Sequence, residues 1–388
     1  MLTEISNKVL LITNIPTPYR IPLFNELQKQ LYEKGLKLKV IFGALSYPRR
    51  KWNFEMSSCK FDYELLHSCR LALFDPEKVI FTYRGLFKII KRDKPRLIIT
   101  NGFSIATTKL WLISWFKSVR YIIWSGAIES RRGRDSQIRR VHRKLLIKKA
   151  KGFIAYGTKA KEYLVNLGAK PERIEIGINT IDTYFFQSEI EKYRDNLEKG
   201  TKETKKKILL CVGYLVKRKR LDLLLKSIEI LAKKRSDFIL KIVGDGPEKE
   251  NLVKLVDKLG IAEFVTFEGY KQKEELIKYY AEADCFLFPT DFDIWGLVLV
   301  EAMAAGLPCI ASIYASATYD LIKDGVTGYV ADFSDFKNVV GKICSIINNP
   351  ELAEGIASAA QNFIGENINL RKSANGFVRA ILKTYSCC

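Results

Sequence analysis

Asp293 and Glu301 are two carboxylates eight positions apart, with a glycine, Gly296, between them. The apolar run Cys285 to Pro289 ahead of them reads as a buried parallel strand. Gly296 opens a small-residue-rich helix, Gly306 and Pro308 stop it, and Cys309 to Ala311 resumes the sheet. Asp293 therefore falls just before a helix start, and Glu301 about a turn and a half into it. In an open α/β sheet that places both acids at the carboxyl edge of the strands, where ligands bind. The backbone N–H groups after Gly296, at Leu297 and Val298, can receive a pyrophosphate, because a helix start favours anions. A carboxylate only accepts hydrogen bonds, so it suits sugar hydroxyls rather than phosphates. Phosphate donors and carboxylate acceptors in one loop call for a nucleotide sugar. The competing reading makes both acids ordinary dressing of a helix start.

Positive charge gathers where helices should resist it. Lys217-Arg218-Lys219-Arg220 follows the strand ending at Gly213 and precedes a helical pattern of Leu221, Leu224, Leu225, Ile228 and Leu231. Each exposed cation at a helix N-terminus costs about 0.3–1 kcal/mol against the macrodipole. Four of them together imply a bound anion, or else a solvated basic turn. Arg218 and Lys219 are the candidate phosphate ligands, through charge-assisted hydrogen bonds of about 1.5–3 kcal/mol each. Pro16-Thr17-Pro18-Tyr19-Arg20 turns the first strand into a helix carrying Leu23, Phe24, Leu27 and Leu31. Arg20 at that start meets a phosphate of donor or acceptor, or forms a structural salt bridge. Gly244-Asp245-Gly246-Pro247 is another strand-to-helix turn, with proline expected at the first helical position.

The elements that must position these residues alternate along the chain. Residues 8–15, 36–43, 96–102, 120–126, 152–157 and 173–179 read as strands in the first half, with helices at 19–34, 83–92, 105–117, 136–149 and 158–167. The second half repeats the scheme with strands at 207–213, 238–244, 264–269, 285–289, 309–311 and 328–331. Strands alternating with long helices indicate parallel sheets with right-handed crossovers. The fold class is α/β, with two doubly wound, Rossmann-like domains at 1–187 and 207–366 facing each other across a cleft. The charged stretch 188–206 suits an exposed linker, and 367–388 a closing helix.

The segment around Asp293 and Glu301 resembles the acidic-x7-acidic signature of the retaining glycosyltransferases with the GT-B fold, family four. The usual pair there is Glu and Glu; Asp293 is a shorter arm. The resemblance implies that Glu301 holds the ribose hydroxyls and Asp293 those of the donor sugar. It makes Arg218 and Lys219 pyrophosphate contacts beside Gly213, with Tyr214 where the family often has Arg and Arg220 where it usually has Gly. Gly244-Asp245-Gly246-Pro247 and Asp320 through Gly328 match further elements of the pattern. In Phe267-Glu268-Gly269-Tyr270, Tyr270 either stacks on the nucleotide base or is a surface tyrosine. No metal is implied, although Asp291-x-Asp293 mimics the metal-binding spelling of a different fold. The final helix of such proteins crosses back onto the first domain. Many relatives carry a histidine near the sugar, but neither His67 nor His142 sits in a matching loop. Trp124-Ser125-Gly126 occupies roughly that place, with Glu129 just beyond, so Ser125 and Glu129 are further candidates. The implied reaction moves a sugar to an acceptor hydroxyl with retention, with no cofactor beyond the donor substrate.

A formal charge of +21 calls for anionic partners: phosphorylated ligands, anionic lipid or nucleic acid. A hydrophobic share of 47% excludes a disordered chain. Residues 131–151 hold ten basic residues against one acid, Asp135. Beside them Leu110 to Phe116 carries Trp111 and Trp115, suited to a membrane interface. The alternative is a buried crossover helix followed by a solvated basic one. Lys117 and Arg120 interrupt the longest apolar stretch, so no membrane span is expected. Val9 to Ile15 reads as a first strand rather than a signal. Scattered cysteines without CxxC spacing favour a reducing cytoplasm, and Cys387-Cys388 is an exposed tail or a lipidation site. The expectation is a cytoplasmic enzyme, peripheral on the inner leaflet, with a glycan or lipid-linked acceptor. Two alternatives stand beside it. A nucleotide-sugar epimerase of the same fold would need no acceptor. A basic nucleic-acid or membrane binder would explain the charge, but it would not need two acids beside a helix start, and no nucleic-acid motif is present.

Overall fold

The computed structural model describes residues 7–46, 55–66, 70–72, 79–129, 136–198 and 206–386. The chain divides into two compact units, residues 1–181 with 370–388, and residues 182–369. His67, Arg131, Arg132, Arg134, Asp135, residues 199–205 and the Cys387-Cys388 pair lie outside the described residues.

Runs such as Val9 to Ile12 and Leu97 to Ile99 are buried, as strands covered on both faces must be. In the first unit these are β1 (Lys8–Thr13), β2 (Lys37–Phe42), β3 (Asp62–Leu65), β4 (Arg70–Ala72), β5 (Val79–Phe81), β6 (Leu97–Asn101), β7 (Tyr121–Ser125), β8 (Gly152–Ala155) and β9 (Ile174–Ile176). Seven form one sheet in the order β3-β2-β1-β6-β7-β8-β9, every pairing parallel, while β4 and β5 make an antiparallel hairpin. Helices α1 (Arg20–Tyr32), α2 (Leu86–Asp93), α3 (Ile105–Phe116), α4 (Gln137–Lys149) and α5 (Thr158–Asn166) connect the strands. Leu86, Leu110, Leu146 and Leu164 from α2 to α5 share one core, and Phe24 and Leu27 of α1 belong to another. The first-half expectation missed β3 to β5. They are three or four residues long, and β3 is a polar edge strand with little burial, so no apolar run announces it.

The second unit opens with α6 (Thr183–Glu198). Its strands are β10 (Lys207–Val212), β11 (Phe238–Val243), β12 (Val265–Gly269), β13 (Cys285–Phe288), β14 (Cys309–Ser312) and β15 (Tyr329–Ala331). Its other helices are α7 (Leu221–Ala232), α8 (Lys249–Leu259), α9 (Lys273–Glu282), α10 (Leu297–Ala304), α11 (Ser316–Leu321), α12 (Phe336–Asn348) and α13 (Pro350–Asn367). The strand order β12-β11-β10-β13-β14-β15, all parallel, is that of a doubly wound dinucleotide-binding sheet. Two details correct the sequence reading. Residues 188–198 are not linker but part of α6, which docks on this unit: Tyr193 donates to Glu282 Oε1 at 3.0 Å and Phe186 packs edge-on against Tyr280. Composition alone does not separate charge on the outer face of a docked helix from exposure on all sides. Pro247 lies two positions before α8 rather than at its first residue, because the turn first doubles back on Leu215.

The closing helix, α14 (Leu370–Ser386), belongs to the first unit. Phe377 meets Trp124 edge-on at 5.0 Å, and Arg379 pairs with Glu175 at 2.8 Å. Gly376 permits the contact, since a Cβ there would stand 2.0 Å from the Ile176 carbonyl. No described helix is long and apolar enough to cross a membrane.

Candidate active site

In each sheet the order reverses beside the strand the unit begins with, between β1 and β6 and between β10 and β13. Loops at the carboxyl ends of such neighbours diverge and leave a crevice. In the second unit the loop after β10 carries Arg218 and Lys219, and the loop after β13 carries Asp293.

The two loops are bound to each other. Lys219 Nζ donates to Asp293 Oδ2 at 2.5 Å, and Arg218 Nη1 lies 3.8 Å from the same oxygen. Arg218 Nη1 also donates to the Phe292 carbonyl at 3.1 Å, and the Arg218 carbonyl accepts from Asp291 N at 2.8 Å and Thr290 Oγ1 at 3.1 Å. Lys219 is further held over the Phe288 ring. Lys217 to Lys219 form a short 3-10 turn, and Arg220 closes it at a φ of 50°, the left-handed region that favours glycine. Its guanidinium compensates by bonding both Asp222 oxygens at 3.0 Å.

Glycines set the floor of this site. Gly213 and Gly244 approach so closely that a Cβ on Gly244 would lie 1.9 Å from the Gly213 carbonyl oxygen, and a Cβ on Gly246 would lie 2.4 Å from that of Leu215. Gly296, at a φ of 105°, begins α10 where a Cβ would strike the Phe288 ring at 2.6 Å. Leu297 and Val298 are the first residues of that helix, so their N–H groups have no intrahelical acceptor to meet. The Asp293 carbonyl accepts from Ser316 N at 3.1 Å, which ties the loop to α11.

The two acids have opposite electrostatics. Burial alone would raise the Asp293 carboxyl, but the Lys219 and Arg218 charges outweigh it and hold it below the usual carboxylate range. Burial raises Glu301, and neither its hydrogen bond from Tyr280 nor the charge of Lys273 reverses that. Tyr280, fully buried on α9, donates its hydroxyl to Glu301 Oε2 at 2.8 Å. Burial also lowers Lys273, whose ammonium sits 3.8 Å from the centre of the Phe185 ring. The sequence reading missed Tyr280, Lys273 and Thr290. Tyr280 and Lys273 lie on a helix whose apolar spacing gives no sign of function, and Thr290 looks like the end of a strand. Trp295 Nε1, Ser316 Oγ and Thr318 Oγ1 are buried without a hydrogen-bond partner among the described residues.

The geometry thus joins Arg218, Lys219, Asp293, Gly213 and Gly296 and holds Glu301 through Tyr280. Tyr270 stands apart, 38% exposed at the end of β12. In the first unit, Arg20 begins α1, donates from Nη2 to the Tyr156 hydroxyl at 2.8 Å, and stacks on Trp124 with 4.1 Å from Cζ to the ring centre. Neither branch of that arginine reaches an acid among the described residues, and Nη1 is buried and unpaired. Ser125 is buried, its Oγ accepting from Ala127 N at 3.0 Å, so it shapes the turn after β7. Glu129 is exposed and accepts a long bond of 3.5 Å from Asn166. His142 shares a 3.1 Å hydrogen bond with Thr108 on the outside of the sheet, between α3 and α4.

Residues 192–363 match the model of the family described as Glycosyl transferases group 1. The chain is 36% identical over 146 residues to an uncharacterized glycosyltransferase of Haemophilus influenzae, covering 38% of this chain and 41% of that one. It is 31% identical over 167 residues to a GDP-mannose-dependent alpha-(1-6)-phosphatidylinositol monomannoside mannosyltransferase of Mycolicibacterium smegmatis, covering 41% and 44%. The matched region therefore spans less than half the length of either relative. Among solved structures, Anabaena Alr3699/HepE in complex with UDP superposes with a TM-score of 0.74 at 18% identity, over 96% of this chain and 99% of that one. At that identity the likeness establishes the GT-B fold.

Proposed function

We propose that this chain, which over residues 192–363 belongs to the glycosyl transferases group 1, moves a sugar from a nucleoside diphosphate sugar to an acceptor hydroxyl. The observation that carries the reading is the Lys219–Asp293–Arg218 cluster at the switch point of the second sheet, beside the glycine-started helix α10. A donor pyrophosphate offers Lys219 and Arg218 a second anion, and the N–H groups of Leu297 and Val298 a pair of acceptors. Asp293, kept ionised by its cations, accepts from hydroxyls of the sugar. Glu301 accepts from the ribose, oriented by Tyr280. In this reading Tyr270 stacks on the base.

Retention follows if acceptor and leaving group share one face of the anomeric carbon. The C1–oxygen bond to the pyrophosphate breaks, the acceptor oxygen bonds to C1, and its proton passes to the departing phosphate oxygen. No protein nucleophile and no metal enters this scheme. The protein supplies position and positive charge for the leaving group. In this reading the Arg20 guanidinium, whose buried Nη1 has no partner among the described residues, serves an anionic group of the acceptor. That acceptor is a cell-surface glycan precursor or glycolipid at the inner leaflet. The mannosyltransferase among the relatives is named for a lipid acceptor, which supports this choice.

The test is thermal stabilisation by UDP-, GDP- and ADP-sugars, with Glu301→Ala in parallel. The expected result is a rise in Tm with one donor class that the variant loses. A basic protein that no nucleotide sugar stabilises, yet that binds DNA with steep salt dependence, contradicts the reading. Donor consumed without acceptor and converted to a stereoisomer identifies an epimerase instead.

A further inference from the structure

We propose that the outer face of α3, flanked by α4, is the surface on which the first unit docks to an anionic lipid bilayer. The observation is an inverted helix. A helix lying on a sheet normally turns charge outward, yet the outward stripe of α3 is Ile105, Leu112, Trp115 and Phe116, exposed by 37, 50, 59 and 87%. The single charged residue of α3, Lys109, is half-buried at the flank of the stripe and tied down there, its Nζ donating to the carbonyls of Thr82 at 2.6 Å and Tyr83 at 3.1 Å. The solvent-facing side of this helix is therefore its apolar side.

The neighbouring helix extends the same surface. α4 packs alongside through Thr108–His142 and Trp115–Lys149, pairs seven residues apart on each helix. At spacings of three and four residues it exposes Ile138, Val141 and Leu145, by 83, 57 and 40%. Such an exposed set on two adjoining helices exceeds the scattered apolar residues of an ordinary surface. α4 also carries six lysines and arginines and no acid. Two cations ride on aromatic rings of the patch: Lys149 Nζ is 3.9 Å from the centre of Trp115, and Lys117 Nζ is 4.6 Å from that of Phe87. Aromatic rings at headgroup depth with ammonium groups around them are the composition of an interfacial anchor. Next to the patch, Phe87, Lys109, Leu112 and Ile113 line a cavity of about 250 Å³, space for part of an acyl chain.

An apolar protein partner would fit the stripe but gives no reason for six cations on the adjoining helix. Charge complementarity selects the anionic bilayer. The proposal rests on the transferase reading only for the idea that acceptor and bilayer lie together; the surface stands by itself.

The test is flotation of the whole chain with vesicles of phosphatidylcholine, alone or mixed with phosphatidylglycerol, at low and high salt. Two double variants accompany it, Trp115→Ser with Phe116→Ser and Lys144→Glu with Lys148→Glu. Binding should favour the anionic vesicles and weaken with salt. Each double variant should reduce it by about tenfold or more, the scale set by the free energy of cations at an anionic membrane and of apolar rings buried in it. All four side chains are exposed, so retained stabilisation by a nucleotide sugar shows intact folding. Equal binding to both vesicle types, binding resistant to salt, or variants that float like the parent protein overturn the assignment. Lipid binding without any donor response leaves docking in place and removes the transferase; donor response without lipid binding does the reverse.

Discussion

The two units share a sheet order around the switch point and fill it with different chemistry. In the second, the crevice loops hold cations against an acid, and the loop after β10 crosses the loop after β11 at Gly213 and Gly244. In the first, the loop after β1 brings Arg20 onto Trp124 and Tyr156, with no acid in reach among the described residues, and the approach of Gly43 to the Asn14 carbonyl is looser, a Cβ there lying 3.1 Å from the oxygen. In the proposed function the first of these sites, that of the second unit, meets phosphate and hydroxyl, elements common to every nucleotide sugar. The other presents aromatic surface and a guanidinium branch with no partner among the described residues, and in the proposed function it faces the acceptor. The same topology therefore gives a site whose parts are recognisable by type in one unit and only by contact in the other.

The most severe way to break this contrast is at the crossing of the second unit. Gly244→Ala places a methyl where the Gly213 carbonyl already stands, at a φ of 144°. Both backbones must move, and a loss of about 3 kcal/mol or more is expected. Soluble yield and Tm should collapse, with no rescue by a nucleotide sugar. A variant that melts like the parent would mean the crossing is looser than drawn.

The paired acids come next, because their stability effects should differ in sign. Asp293 titrates below its unfolded value, so its contribution is present at neutral pH and is lost as pH falls through the folded pKa. Asp293→Asn should cost about 1–3 kcal/mol at neutral pH, leaving Lys219 without its counter-charge, with the gap closing in strong acid. Glu301 titrates above its unfolded value, so its contribution is full in acid and fades as pH rises through the folded pKa. Glu301→Gln should match the parent in acid and exceed it in stability above the raised pKa. Both variants should lose donor-induced stabilisation. Melts across pH check both signs at once, and two acids that move stability the same way contradict the assignment.

In the first unit the expected effect is smaller. Arg20→Leu removes a stacked cation and one bond to Tyr156, worth about 1–2 kcal/mol together. It should raise the KM for the acceptor and leave the donor response intact. Arg20→Lys keeps the charge but not the planar stack and should fall between. Loss of the donor response would transfer Arg20 to the donor phosphate and dissolve the contrast between the units.

How far the sequence could be read follows from the same physics. Turn glycines, cations at a helix start and apolar strand runs are local signals, so the second sheet and its loops were legible from Lys207 onward. Arg220 shows how a departure is absorbed: it adopts the left-handed conformation glycine would have taken and recruits Asp222 to hold it. Helix α6 was misread because its burial comes from contacts with α9, remote in sequence. Ser125 and Glu129 were chosen for their place in the chain, and the structure gives one a turn-shaping bond and the other to solvent. The outward apolar stripe of α3 was visible as composition, but whether Trp115 faced core or solvent depended on packing.

Tyr280 offers the finest test, because in the proposed function it acts on the donor only through Glu301. Its ring is fully buried between Phe186 and Phe286, so Tyr280→Phe keeps the packing and removes one hydroxyl. Glu301 then loses the donor that holds Oε2, a change of about 1 kcal/mol, or roughly fivefold in donor affinity. The hydrogen bond also favours the ionised carboxylate, so its loss should push the already raised Glu301 pKa higher and move the pH profile of donor affinity the same way. A purely structural tyrosine would lower Tm and leave that profile in place. If the hydroxyl acts through the carboxylate, Tyr280→Phe should add little to Glu301→Gln in the double variant. Additive losses in donor affinity would mean that the two side chains serve the nucleotide separately.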